Sequence, residues 1–247
     1  MIDYPRRSIC ISPEIVQLRL INRLRRIKCA GFYRNDLVVI HIGKCAGATV
    51  RKELNAAGMA HSEVHVSKPI YYPDKRYLIL LRNPVDRFVS AFNWRSRIIA
   101  EGLYKKSRKG IEAEKRVFHR FLTAEQAALA LFLSDGSPDF DVWRQLNCIG
   151  HVSMNIDFYL RSFLHLCDRK SLIGVVSVET LNSDMQRLFS VGVSSFEHRN
   201  STPGLNTQLS GLARSYLVRY LHSDYKCIMR LADFGLIPEE SLEKLMC

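Results

Sequence analysis

No C-x-x-C pair occurs in this chain, and its seven cysteines, at positions 10, 29, 45, 148, 167, 227 and 247, are an odd number. That pattern indicates neither a zinc site nor a disulfide framework, so most of the thiols are expected to act as small core hydrophobes in a reducing compartment. There is no apolar run of about 18 residues that could span a bilayer. The first residues contain Pro5, Arg6 and Arg7 with no apolar core behind them, which is not the pattern of a signal peptide. The expectation is a soluble, cytoplasmic chain; a luminal domain trimmed of its anchor would read the same way. Internal repeats are absent. Acidic residues are scarce relative to basic ones, 24 against 36, giving a net charge of +12. Anionic partners follow, but charge does not choose among nucleotide, acidic glycan, membrane and nucleic acid.

What is present is a strand that breaks into a small-residue turn. Leu37-Val38-Val39-Ile40-His41-Ile42 is apolar apart from His41, which reads as packing; Gly43-Lys44-Cys45-Ala46-Gly47-Ala48-Thr49-Val50 follows. Small residues let backbone N–H groups approach an oxyanion, a helix start adds its positive dipole end, and Lys44 adds a full charge. This is not a Walker A loop, because Lys44 precedes Gly47 and the turn contains no Lys-Ser or Lys-Thr pair. A second strand-to-helix turn runs from Tyr77 through Leu81 into Arg82-Asn83-Pro84-Val85-Asp86. There Asn83 suits an N-cap, Pro84 the first helical position and Asp86 the positive end. Arg82 falls at the strand tip, and Ser90 lies two turns along the helix, placed to converge with it on one phosphate.

Strands are expected over Leu37–Ile42, Glu63–Val66, a segment ending at Leu81, and Leu172–Val178, with a helix from Gly47 to Ala57 stopped by Gly58. The alternation predicts an α/β domain with a parallel, P-loop-like sheet flanked by helices, and Lys44, His65 and Arg82 all fall at carboxyl ends of strands. At 247 residues and 47% hydrophobic, residues 35–247 suit a single domain. Residues 1–34 read as a basic amphipathic helix packed on it. Ser12-Pro13-Glu14 marks the helix start, and Val16, Leu20, Leu24 and Ile27 form an apolar stripe. The opposite side, with Arg19, Arg23, Arg25, Arg26 and Lys28, is a solvated face that can also hold a membrane surface or an acidic polymer. Thr123-x-x-Gln126 reads as a capping box opening a helix to Leu133. Asn182 starts another, and residues 208–234 are mostly helical.

Taken together, the two turns resemble the PAPS-dependent sulfotransferases, and within them the carbohydrate O-sulfotransferases typified by the uronosyl 2-O-sulfotransferase. Ile40 through Thr49 is similar to that family's I-x-x-P-K-T-x-x-T-S loop, and Arg82 through Ser90 to its R-D-P-x-x-R-x-x-S motif. Weaker similarity, in order and spacing, covers Gly150–Phe158, Gly174–Leu181 and His198-Arg199-Asn200-Ser201, so that the resemblance spans roughly 37 to 234. Gly43 stands where the family has proline, Cys45 where it has threonine, Ala48 where it has a hydroxyl residue and Asn83 where it has aspartate.

The resemblance implies a sulfotransferase fold and sulfuryl transfer from PAPS to a hydroxyl of a glycan or glycolipid, leaving PAP, with no metal required. Lys44 would neutralise the departing oxygen, and the amides of Ala46, Gly47, Ala48 and Thr49 would hold the 5′-phosphate. Arg82 and Ser90 would hold the 3′-phosphate, and Arg199 would also bind the cofactor. The string Ser62-Glu63-Val64-His65-Val66-Ser67 is similar to H-G-H-V-S, whose second histidine is the base and matches His65. Glucosaminyl enzymes with an E-V-H string would instead assign the base to Glu63. His151, from a G-H-S-S-like string, would contact acceptor, and Lys105 and Lys106 in the basic run 101–116 would guide an acidic one. A nucleic-acid partner is not expected. Two other classes stay open: a P-loop-like nucleoside or nucleotide kinase, and a non-catalytic module for acidic glycan or nucleic acid, whose binding would fall steeply with salt.

Overall fold

Three segments rich in β-branched residues and leucine, and the short polar segment β2, pair side by side in one all-parallel sheet of order β2-β1-β3-β4. The computed structural model describes residues 13–29, 31–103, 108–193 and 208–247. In chain order the elements are α1 (Pro13–Lys28), β1 (Leu37–His41), α2 (Gly47–Ala56), β2 (His61–Val64), β3 (Arg76–Leu81), α3 (Pro84–Ala100), α4 (Arg108–Arg120), α5 (Ala124–Leu129), α6 (Phe140–Leu146), the single turn α7 (Gly150–Ser153), α8 (Ile156–Leu166), β4 (Leu172–Ser177), α9 (Leu181–Phe189), α10 (Gly211–Tyr220), α11 (His222–Asp233) and α12 (Glu239–Met246). β1 sits inside the sheet, with Leu37–Ile40 in register with His61–Val64 on one side and Leu37–His41 with Arg76–Leu80 on the other. The chain leaves β1 toward β2 and returns to its other flank as β3, so the strand order reverses between β1 and β3. A crevice opens at such a switch point beyond the carboxyl ends of the strands.

β1, β3 and β4 are largely buried; Val38, Ile40, Tyr77, Leu78 and Ile79 have no exposure. That is why these three read as near-continuous apolar runs, whereas β2, His61-Ser62-Glu63-Val64, is half-buried and polar. A second buried cluster packs Phe88 and Phe92 of α3 against Ala127, Leu131, Leu146 and Leu217 from the helical half. α3 starts as its sequence requires, because Asn83 Oδ1 accepts from Val85 N (3.0 Å) and Asp86 N (3.1 Å). The same side chain's Nδ2 donates to the main-chain oxygens of Leu245 (3.1 Å) and Cys247 (2.8 Å). An aspartate could cap α3 but could not make those two bonds.

Three expectations are corrected. β2 lies two residues earlier than its alternation suggested: its ladder with β1 ends at Ile40 opposite Val64, His65 falls just beyond it, and Val66 turns away at φ 53°. α5 ends at Leu129 instead of Leu133, because Phe132 bridges to Pro138 and Leu133 N bonds Ser137 O across a turn through Gly136. The third concerns α1, whose apolar stripe points outward: Val16, Leu20, Leu24 and Ile27 are all more than half exposed. The helix docks by its other face instead. Asn22 bonds both the N–H and the C=O of Tyr71, and Arg25 reaches the carbonyls of Lys68 and Pro69. The described cysteines are free thiols, and only Cys45 and Cys227 are buried, so the expected core role holds for fewer of them than the composition suggested.

Candidate functional site

Beyond β1 the chain makes the turn Gly43–Ala46 with two non-glycine residues in the left-handed region, Lys44 at φ 74° and Ala46 at φ 55°. Each such residue costs about 1–2 kcal/mol, so surrounding packing must hold the turn in shape. Cys45, fully buried beneath it, and Thr49, buried in the first turn of α2, are part of that packing. Ala46 is the N-cap of α2 and makes no side-chain cap. The first amides of a ten-residue helix are thus left without the side-chain acceptor that Asn83 gives α3, and they carry the helix's positive end.

Gly47 is required for a different reason. A Cβ there would lie 2.1–2.2 Å from three ring atoms of His41, a distance no real contact shows. The imidazole lies directly over the glycine. His41, which its apolar strand context marked as packing, packs here on the candidate anion turn itself. Its Nδ1 pairs closely with Glu63 Oε1, Arg51 Nη1 binds Glu63 Oε2 at 3.0 Å, and its ring stacks on His65 at 4.2 Å between centroids. Burial pushes the Glu63 carboxyl upward, but hydrogen bonds and charge from His41 and Arg51 outweigh it and hold the group at about 2. Glu63 is an ionised partner of His41 and Arg51.

His65 sits just past the tip of β2. Its Nδ1 lies 3.0 Å from the main-chain oxygen of His41. A carbonyl only accepts, so Nδ1 carries the proton and the neutral ring keeps its lone pair on Nε2. Burial lowers its pKa below the ordinary histidine value, against the pull of that hydrogen bond. The ring continues a ladder: His65 meets His151 edge-on at 6.0 Å, and His151 stacks on Trp94 at 4.6 Å with planes 9° apart. Lys44 Nζ lies over the Trp94 ring at 5.1 Å. Lys44, His65 and His151 thus belong to one contiguous cluster, which Trp94 and His41 complete. Burial, then the neighbouring cations Arg87, Arg95 and Lys44, push His151 down to about 3, so it is neutral near pH 7.

Positive charge collects at the same end of the sheet. The Lys44 pKa falls to about 8 through burial first, then through the cations Arg82 and Arg97. Among the described residues Lys44 and Arg82 form no ion pair, and Arg97 has only a loose one, 3.9 Å from Glu101. Ser90, Trp94 and Arg97 are spaced four and three residues apart, which puts them on one face of α3. The sequence alone named Ser90 but not Trp94 or Arg97; continuing its helical face by four and seven residues would have found both. Arg87, one turn earlier, is buried and fixes the position of His151: its Nη2 donates to the carbonyls of His151 (2.9 Å) and Met154. Lys105, Lys106 and Arg199 lie outside the described residues. A groove of about 680 Å³ elsewhere, lined by Val218, Tyr225, Met229 and Met246, shares no residue with this cluster. No group of three or more metal-ligating side chains occurs among the described residues.

A crevice of this kind, with uncapped helix amides, uncompensated cations and an imidazole holding a free lone pair, can bind a polyanion and remove a proton from a neighbouring hydroxyl. Comparison of the chain with protein-family models, with curated proteins and with solved structures gave no match.

Proposed function

We propose that this chain is a PAPS-dependent O-sulfotransferase acting on a carbohydrate hydroxyl, on a glycan or a glycolipid, and that its parallel sheet is the P-loop-like sheet of that fold. The observation that carries the reading is the ring ladder, which sets the cation Lys44 and the base nitrogen of His65 in one cluster through Trp94 and His151. The residues present suit the group. The α2 amides from Ala46 to Thr49 would hold the 5′-phosphate, and Arg82 and Ser90 the 3′-phosphate, with Arg199 a further cofactor contact. When bound, PAPS supplies an activated sulfuryl group on a phosphate leaving group.

The chain's own contribution is proton and charge placement. Lys44 holds positive charge where negative charge grows on the departing oxygen, a role worth roughly a hundredfold to a thousandfold in rate. His65 Nε2 takes the acceptor proton, since its partner nitrogen is fixed as a donor. Glu63 is unsuited to that task, being held ionised at about 2 by His41 and Arg51; it orients His41, on which His65 stacks. His151 and Trp94 form the wall beside which an acceptor ring would lie.

The test is transfer of labelled sulfate from PAPS to a panel of glycans and glycolipids, with EDTA present and with Lys44→Ala alongside. Turnover that survives EDTA and falls at least a hundredfold in the variant is expected, as is stronger thermal stabilisation by PAP than by AMP. Equal stabilisation by the two nucleotides would remove the 3′-phosphate site.

A further inference from the structure

The outward stripe of α1 is an apolar face that stays exposed among the described residues. Taken at 100° per residue, Val16, Leu20, Leu24 and Ile27 lie within an arc of about 80°. Leu20 is 57% and Ile27 69% exposed. Exposed Arg19 and Arg23 border the arc on one side and exposed Lys28 on the other. Glu14 is the sole acidic residue in the helix. A mean-sized helix that buries a polar face and exposes its leucines would ordinarily roll over. Here it is pinned: Asn22 holds Tyr71 by two hydrogen bonds, Arg25 holds two carbonyls, and the Arg26 guanidinium lies over the Tyr72 ring at 5.3 Å.

We infer that this face of α1 docks the protein on an anionic membrane surface, with the stripe at the level of the acyl boundary and the flanking cations among acidic headgroups. Charge selects the occupant. A second copy seated on the same face would bring Arg19, Arg23 and Lys28 against their own equivalents, whereas an anionic lipid surface complements them and the +12 net charge of the whole chain. The helix lies on the membrane without crossing it, since no helix among the described residues is long and apolar enough to span one. This inference stands independently of the sulfotransferase reading.

Flotation of the full chain with vesicles tests it, using phosphatidylcholine alone and phosphatidylcholine doped with phosphatidylserine. The chain is expected to float with the doped vesicles and far less with the neutral ones. Arg19→Glu with Arg23→Glu, and separately Leu20→Ser with Leu24→Ser, should each lower partitioning at least tenfold with an unchanged thermal midpoint, because all four side chains are exposed. Ile27→Ser, at the most exposed position of the stripe, serves if the leucine pair fails to fold. The inference is overturned if the chain stays with neither vesicle, if charge reversal leaves partitioning unchanged, or if sedimentation shows a dimer that Leu24→Ser dissociates.

Discussion

A histidine whose Nδ1 donates to a carbonyl has one nitrogen left with which to exchange a proton, and at His65 that nitrogen is Nε2. Because burial lowers its pKa, the ring stays in its base form to lower pH than a free histidine. With saturating acceptor, the acidic limb of the turnover profile should therefore lie below pH ~6.5. His65→Ala should reduce turnover by roughly a hundredfold or more and abolish that limb while PAP affinity is unchanged. A limb that persists in the variant would move the base elsewhere. At this scale the sequence was legible where chemistry is local: Lys44, His65 and Arg82 follow from strand ends. It was silent where contact is between segments. Nothing near His41 in sequence reveals that its ring would rest on Gly47 and pair with Glu63, so its packing was legible and its contacts were not. Nor do Lys44 and Ala46 advertise a left-handed backbone, which glycine would adopt without strain.

Among the elements, α3 shows how one cap can join distant parts of the chain. Asn83→Asp should keep the cap, since the two side chains cap helices about equally well. It should still lose both donations to Leu245 and Cys247, and set a carboxylate against their oxygens. Loss of about 2 kcal/mol or more is expected, a fall of roughly 4–8 °C in Tm for a chain of this size. Hydrogen exchange should speed up in α12 and not in α3; an unchanged midpoint would show that Nδ2 contributes nothing. Local signals located α3, α2 and β1 well because caps, turns and apolar runs are written in neighbouring residues. They misjudged α1, since periodicity finds an apolar stripe but cannot tell that Asn22 and Arg25 fasten the opposite side. They placed β2 two residues late because its end is set by where β1 stops pairing, which its own alternation does not record.

For the molecule as a whole, the parallel sheet was legible in the βαβ spacing, but not its order, because no segment states which flank of β1 it will join. The same assembly buries titratable groups with consequences for acid stability. His151 is held at about 3 in the fold and would titrate near 6.5 when released. Below pH ~6.5 the unfolded chain takes up a proton that the folded one refuses, so stability present at neutral pH declines as pH falls from 6.5 toward 3, by at most about 1.4 kcal/mol per unit. Asp224, raised by burial to about 6, acts in the opposite sense between 6 and its ordinary value of 3.8. Urea titrations of wild type and His151→Gln at a series of pH values separate the two: the difference between them should shift against the wild type as pH falls from 7 to 4, and a constant difference would refute the assignment. The stack in which His151 lies has a further, optical consequence. Trp94 is one of only two tryptophans in the chain. Its indole lies against His151 and under the Lys44 ammonium, so any anion that enters or proton that moves there changes the electric field across the chromophore, and the colour of its emission becomes a gauge of what the cleft holds.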